Sequence, residues 1–87
     1  MIEIYTKENC TFCTQAKNLL RDRQIPFFEH KLDVDFTKEI LLEKFANART
    51  FPVIVIDGFH IGGYSELVVQ LNEEVKNTQK LLNEGSI

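Results

Sequence analysis

Cys10 and Cys13 are the only two cysteines in the 87-residue chain, and they stand three apart where a short alternating apolar stretch gives way to a helical pattern. A helix start carries unpaired backbone N–H groups and the positive end of the helix dipole. Both favour an anion, and the thiolate is the reactive form of cysteine. Thiols so placed have pKa values of roughly 3.5–7.5, against about 8.5 for a free cysteine. Each unit of depression is worth about 1.4 kcal/mol in favour of the thiolate. A disulfide between residues i and i+3 closes a small loop of permitted geometry. Cys10 sits at or before the first turn, with the N–H groups pointing at it, and Cys13 lies one turn further in. That asymmetry makes Cys10 the attacking thiol and Cys13 the resolving thiol. The alternatives are two buried structural thiols or half of a zinc site. Zinc takes about four ligands. The remaining candidates, His30 and His60, fall on separate strands and away from ligand spacing, so both read as surface or edge side chains.

Two other segments have the residue types to meet a ligand. Thr50-Phe51-Pro52 precedes an apolar strand. A trans proline there simply opens the strand, where the hydrogen-bond ladder has not begun. A cis Phe51–Pro52 bond would instead turn the N–H and C=O of Phe51 outward, to pair with an extended peptide as a strand would. Cis bonds are only about 5–6% of X–Pro bonds in folded proteins, so the residues alone favour trans. Gly62-Gly63-Tyr64-Ser65-Glu66 ends a strand and opens a helix. Its glycines let a ligand approach the backbone, and the N–H groups of the helix start could hold a carboxylate. Glu66 counts mildly against that, and a plain turn with an N-cap is the simpler reading.

These segments must be positioned by one small α/β domain covering residues 1–87. Ile2 and Ile4 alternate, with Tyr5 close behind, and mark a first strand. Ala16, Leu19, Leu20 and Arg23 follow Phe12 at helical spacing, which predicts a helix from Thr11 to Gln24 that stops before Pro26. Ile25 to Leu32 reads as a second strand. Asp35 is the expected N-cap of a second helix, with Phe36, Ile40, Leu41 and Phe45 as its buried face. Val53-Ile54-Val55-Ile56 is a buried strand. Asp57-Gly58 is the strongest hairpin signal in the chain and leads to a returning strand, Phe59-His60-Ile61. Ser65 caps a final helix with an apolar stripe at Leu67, Val68, Leu71 and Val75, and Gly85 is its natural stop. Phe27, Phe28, Phe36 and Phe45 are assigned to the core, and Glu73-Glu74 to a solvated helix face. The order β-α-β, then α, then β-β-α predicts parallel first strands, an antiparallel last pair, and one four-stranded mixed sheet with helices on both faces.

Composition narrows the function classes. The chain is 44% apolar with a net charge of −3. No basic stretch is long enough to neutralise a run of phosphates, so nucleic acid is a poor partner. No apolar run approaches bilayer thickness, so no membrane partner is expected. The N-terminus shows no charged stretch leading into an apolar one, so no secretory signal is read. Two cysteines do not make a disulfide scaffold, and the expected location is the reducing cytoplasm.

Taken together, Cys10-Thr11-Phe12-Cys13, Thr50-Phe51-Pro52 and Gly62-Gly63-Tyr64-Ser65 resemble, in order and spacing, the signature segments of the dithiol glutaredoxins, and the length is close to that of short bacterial and phage members. The resemblance covers essentially the whole chain and implies the glutaredoxin form of the thioredoxin fold. It also implies a cis bond at Pro52. Cys10 then matches the nucleophile and Cys13 the resolving thiol. Lys7 matches a basic residue that helps hold the glycine carboxylate of glutathione and favours the thiolate. Phe12 replaces the usual tyrosine. Thr50, Phe51 and Pro52 match the segment whose backbone pairs with the glutathione cysteine, and Gly63, Tyr64 and Ser65 match the segment that receives the γ-glutamyl end. Glu66 falls where many members have aspartate. Thr11 stands where proline is frequent, and its hydroxyl could hydrogen-bond a cysteine sulfur. The implied activity is glutathione-dependent reduction of protein disulfides and glutathione mixed disulfides, by a monomer, with glutathione as co-substrate and no tightly bound cofactor. Ribonucleotide reductase is the protein partner the family suggests. Two alternatives stand beside this. A thioredoxin-like redoxin fed by thioredoxin reductase is disfavoured by the absence of tryptophan. An iron–sulfur carrier is raised by Thr11, because some non-proline family members share a cluster between two subunits.

Overall fold

The computed structural model describes residues 1–72. Strand β1 (Ile2–Thr6) is followed by α1 (Thr11–Asp22), β2 (Phe27–Lys31), α2 (Lys38–Lys44), β3 (Val53–Ile56) and β4 (Phe59–Gly62). A third helix, α3, opens at residue 64 and occupies residues 64–72. The four strands form one sheet in the order β2-β1-β3-β4. β1 pairs parallel with β2 and antiparallel with β3, and β3 pairs antiparallel with β4. The fold is the expected thioredoxin-like α/β arrangement with a mixed sheet.

Two apolar layers hold it together. Ile4 and Ile54 meet Ala16 and Leu20 of α1 and Leu67 and Leu71 of α3 on one side of the sheet. Tyr5, Val53 and Val55 meet Phe36, Leu41 and Ala48 on the other. Successive side chains of a strand point to opposite faces. The unbroken apolar run of β3 therefore feeds both layers. The hairpin turn is made by Asp57 and Gly58, both at positive φ (52° and 86°), as a type I′ turn requires.

Element ends depart from the expectation for local reasons. α1 stops at Asp22, not Gln24. Gln24 adopts a left-handed φ of 58°. Its N–H reaches the Arg21 carbonyl and the Ile25 N–H reaches the Leu20 carbonyl, each at 2.9 Å. This is a Schellman closure built without glycine. It consumes Ile25, so β2 starts at Phe27 rather than Ile25, and it ends at Lys31 rather than Leu32. The N-cap of α2 is Thr37, whose Oγ1 accepts from the Ile40 N–H at 3.2 Å. Asp35 instead accepts from the Lys31 N–H, at 2.8 Å, and closes the preceding turn. Of the expected apolar face only Leu41 is buried within α2, Phe36 precedes the helix, Phe45 is its half-buried C-cap, and Ile40 is exposed. Phe28 lies on the edge strand and is exposed rather than in the core. His30 is half-buried, with Nε2 3.0 Å from Glu3 Oε1 and its ring against Tyr5, and His60 packs on Phe45. Tyr5 is held above its ordinary pKa by burial and then by the charge of Glu3. Val75, Gly85 and the Glu73-Glu74 pair lie outside the described residues.

Candidate active site

β1 runs antiparallel to β3, so the end of β1 lies beside the start of β3, with Tyr5 opposite Val53. The Cys10 segment leaves the first and the Phe51-Pro52 segment enters the second. Asn9, at φ 55°, turns the chain into α1. Cys10 is the N-cap of that helix, in extended conformation, and its Sγ accepts the Cys13 backbone N–H at 3.1 Å. That contact is one of the unpaired donors of the helix start, used on sulfur instead of on a Ser or Asp oxygen. Cys10 and Cys13 are joined in a disulfide, with Cα atoms 5.2 Å apart. Cys10 is half-buried and Cys13 is only 2% exposed. Thr11 is exposed, and the donor to Cys10 Sγ is the Cys13 amide rather than the Thr11 hydroxyl.

A recess of about 260 Å³ lies beside this helix start, lined by Phe12, Thr50, Phe51, Gly63, Tyr64, Ser65 and Glu66. Six of these are residues that the resemblance to glutaredoxins assigns to glutathione. The Phe12 and Tyr64 rings stack at 5.7 Å, which joins the redox segment to the opening of α3. Pro52 is buried beneath, and the Phe51–Pro52 bond is cis. Lys7 does not line this recess; its Nζ lies 5.7 Å from the centre of the Phe51 ring.

The opening of α3 differs from the expectation. Gly63, not Ser65, takes the cap position, with its carbonyl accepting the Leu67 N–H at 3.0 Å. Glu66 Oε1 accepts the Gly63 N–H at 2.6 Å. This is the returning half of a capping box. Glu66 is therefore a structural element of the segment, and it folds over Gly62. A Cβ on Gly62 would fall 2.8 Å from Glu66 Cβ, at a φ of +134° that side chains rarely adopt.

A second, larger groove of about 630 Å³ touches the sulfur pair itself. Cys10 and Cys13 line it, with Thr6, Lys7, Glu8, Lys17, Glu29 and Lys31 among its polar walls. The two recesses have no lining residue in common. Glu29 Oε2 accepts both the Lys17 ammonium at 2.9 Å and the Thr6 hydroxyl at 2.7 Å. Burial pushes the Glu29 carboxyl up, but those two hydrogen bonds and the charges of Lys17 and Lys31 outweigh it and leave the pKa below the ordinary value. The sequence reading missed Lys17 and Glu29. The one available signal was that Lys17 stands four residues after Cys13 in the helix, and so on its face. Among the described residues no group of three or more His, Cys, Asp or Glu is arranged to hold a metal ion.

Comparison with known proteins agrees with this geometry. The glutaredoxin family model matches residues 2–61. Glutaredoxin 3 of Escherichia coli K12 is 41% identical over 66 residues, covering 76% of this chain and 80% of the relative. The crystal structure of glutaredoxin 1 from Francisella tularensis, complexed with cacodylate, superposes with a TM-score of 0.70 at 27% identity, over 86% of this chain and 95% of that one. A buckwheat glutaredoxin–glutathione complex superposes with a TM-score of 0.69 at 26% identity, over 99% of this chain and 80% of that one. With its paired cysteines at the start of α1, its sheet order and these relatives, the chain belongs to the glutaredoxin family of thiol oxidoreductases.

Proposed function

We propose that this protein is a glutathione-dependent thiol–disulfide oxidoreductase of the dithiol type. The observation that carries it is the half-buried Cys10 sulfur at the N-cap of α1, accepting a backbone N–H, beside a recess lined by Phe12, Thr50, Phe51, Gly63, Tyr64 and Ser65. In the reduced protein the same N–H and the dipole of α1 stabilise the Cys10 thiolate. The thiolate attacks a substrate disulfide, forming a mixed disulfide and releasing one substrate thiolate. Cys13 then displaces the second substrate sulfur and closes the Cys10–Cys13 bridge. Two glutathione molecules reopen it by exchange, leaving as glutathione disulfide. A glutathionylated substrate needs only Cys10 and a second glutathione.

The glutathione reading is supported by the buckwheat relative, which was solved as a glutathione complex. In this reading the Phe51 backbone pairs with the cysteine of glutathione, Thr50, Pro52 and Phe12 shape the wall, and Gly63, Tyr64 and Ser65 receive the γ-glutamyl end. Lys7 receives the glycine carboxylate. We place the protein in the cytoplasm as a monomeric single domain, with protein disulfides such as that of ribonucleotide reductase as substrates. The test is turnover of a small glutathione mixed disulfide with glutathione as sole reductant. Turnover there and none with thioredoxin reductase is the expected result; coupling to thioredoxin reductase alone overturns it.

A further inference from the structure

Cys13 must lose a proton before it can attack, yet it is buried, and the amide that serves the sulfur pair at the helix start points at Cys10 rather than at Cys13. The larger groove, which both cysteines line, supplies what is missing. Lys17 lies one turn after Cys13 on the same face of α1, where Cβ atoms stand about 5–6 Å apart. A lysine on an open helix surface would extend into water. Here the ammonium is held back by Glu29 Oε2 at 2.9 Å, and that same oxygen is held by the Thr6 hydroxyl at 2.7 Å. Side chains of Lys17 and Glu29 are only 21% and 20% exposed. An ion pair withdrawn from water is not explained by stability alone, because desolvation offsets much of its attraction. Its place in the groove that Cys10 and Cys13 also line calls for another role.

We propose that Lys17, anchored by the positioning residues Glu29 and Thr6, favours the thiolate of Cys13 and so speeds the resolving step. This role builds on the dithiol reading above. In that step the Cys13 S–H bond breaks and its sulfur bonds to the Cys10 sulfur. The bond between Cys10 and the substrate sulfur breaks, and the departing thiolate takes up a proton. The groove is open to water, which carries that proton. The other ionisable groups facing it are Lys7 and Glu8 from the loop after β1 and Lys31 from β2. Counted with Lys17 and Glu29, three positive charges face two negative ones, so the surroundings favour an anion.

The test titrates Cys13 as the sole thiol, in the Cys10→Ser protein, by the ultraviolet absorbance of its thiolate. Lys17→Met is expected to raise the midpoint by about half to one unit, which is ~3–10-fold less thiolate below it. Lys17→Arg, the folding control, keeps the midpoint within about 0.3 units. The double change Lys17→Met/Glu29→Gln decides whether the ammonium or the neutral pair matters. If the midpoint stays raised, the ammonium acts on Cys13. If it returns to the original value, the pair is electrically silent and the proposal fails, as it does if Lys17→Met moves nothing. In the otherwise unchanged protein, Lys17→Met should slow reduction of a protein disulfide ~3–10-fold, with its pH profile displaced upward, while removal of glutathione from a mixed disulfide changes less than ~2-fold. Equal slowing of both reactions also overturns the proposal. The titration contains no glutathione, so a chain reduced from another source would fail the turnover assay and still answer for Lys17.

Discussion

Among the described residues Cys10 accepts a backbone amide and Cys13 does not, and this single difference sets their expected chemistry. Cys10→Ser should abolish activity on every disulfide. Cys13→Ser should keep removal of glutathione from mixed disulfides and lose reduction of protein disulfides. Parallel assays on the two substrates check both. In the reduced protein, iodoacetamide should label Cys10 well below the pH at which free thiols react, because the helix start lowers its pKa. Labelling no faster than a free cysteine would remove the basis of the mechanism. The cysteine pair was fully readable from spacing, because i and i+3 at a helix start is a local fact. Glu66 was not. In sequence its charge stands against an anion site, and only the fold-back onto the Gly63 N–H reveals it as part of the cap. Lys17 and Glu29 were invisible for the opposite reason: they belong to different elements and meet only once β2 lies beside β1.

At the scale of elements, the strands and helices were legible and their ends were not. Apolar alternation and helical spacing depend on many residues at once, whereas an end depends on one or two hydrogen bonds. Asp35 and Thr37 are both competent caps two residues apart, but Asp35 accepts the Lys31 N–H and Thr37 the Ile40 N–H, so the helix starts after Thr37. Thr37→Ala should therefore cost about 1 kcal/mol, and Asp35 replacement should leave α2 itself intact. Urea denaturation of the two variants separates these outcomes. At the opening of α3, Gly62→Ala meets both a left-handed φ of +134° and the Glu66 side chain. A loss of about 1–3 kcal/mol is expected, partly restored when Glu66 is also shortened to Ala. A double-mutant cycle in urea reads that coupling directly.

The described residues form two thin apolar layers on one sheet, and a chain of this size has little stability to spare. Leu20 is completely buried between β1, α1 and α3. Leu20→Ala should cost about 2–5 kcal/mol, out of the roughly 5–15 kcal/mol that folded domains carry, and lower the thermal midpoint accordingly. Acid should act through Glu29. Its pKa is lowered in the folded state, so its contribution is present above the unfolded carboxylate pKa and fades as pH falls through the folded one. Glu29→Gln should flatten the acid side of the stability profile and leave the alkaline side alone, as urea midpoints measured across acidic and neutral pH would show. The antiparallel pairing of Tyr5 with Val53 has a last implication. Both reactive loops spring from the two interior strands, so neither can loosen by the peeling of an edge. Amides at that junction should exchange with solvent only when the entire domain opens, and on heating the enzyme should stay competent until it melts, then fail all at once.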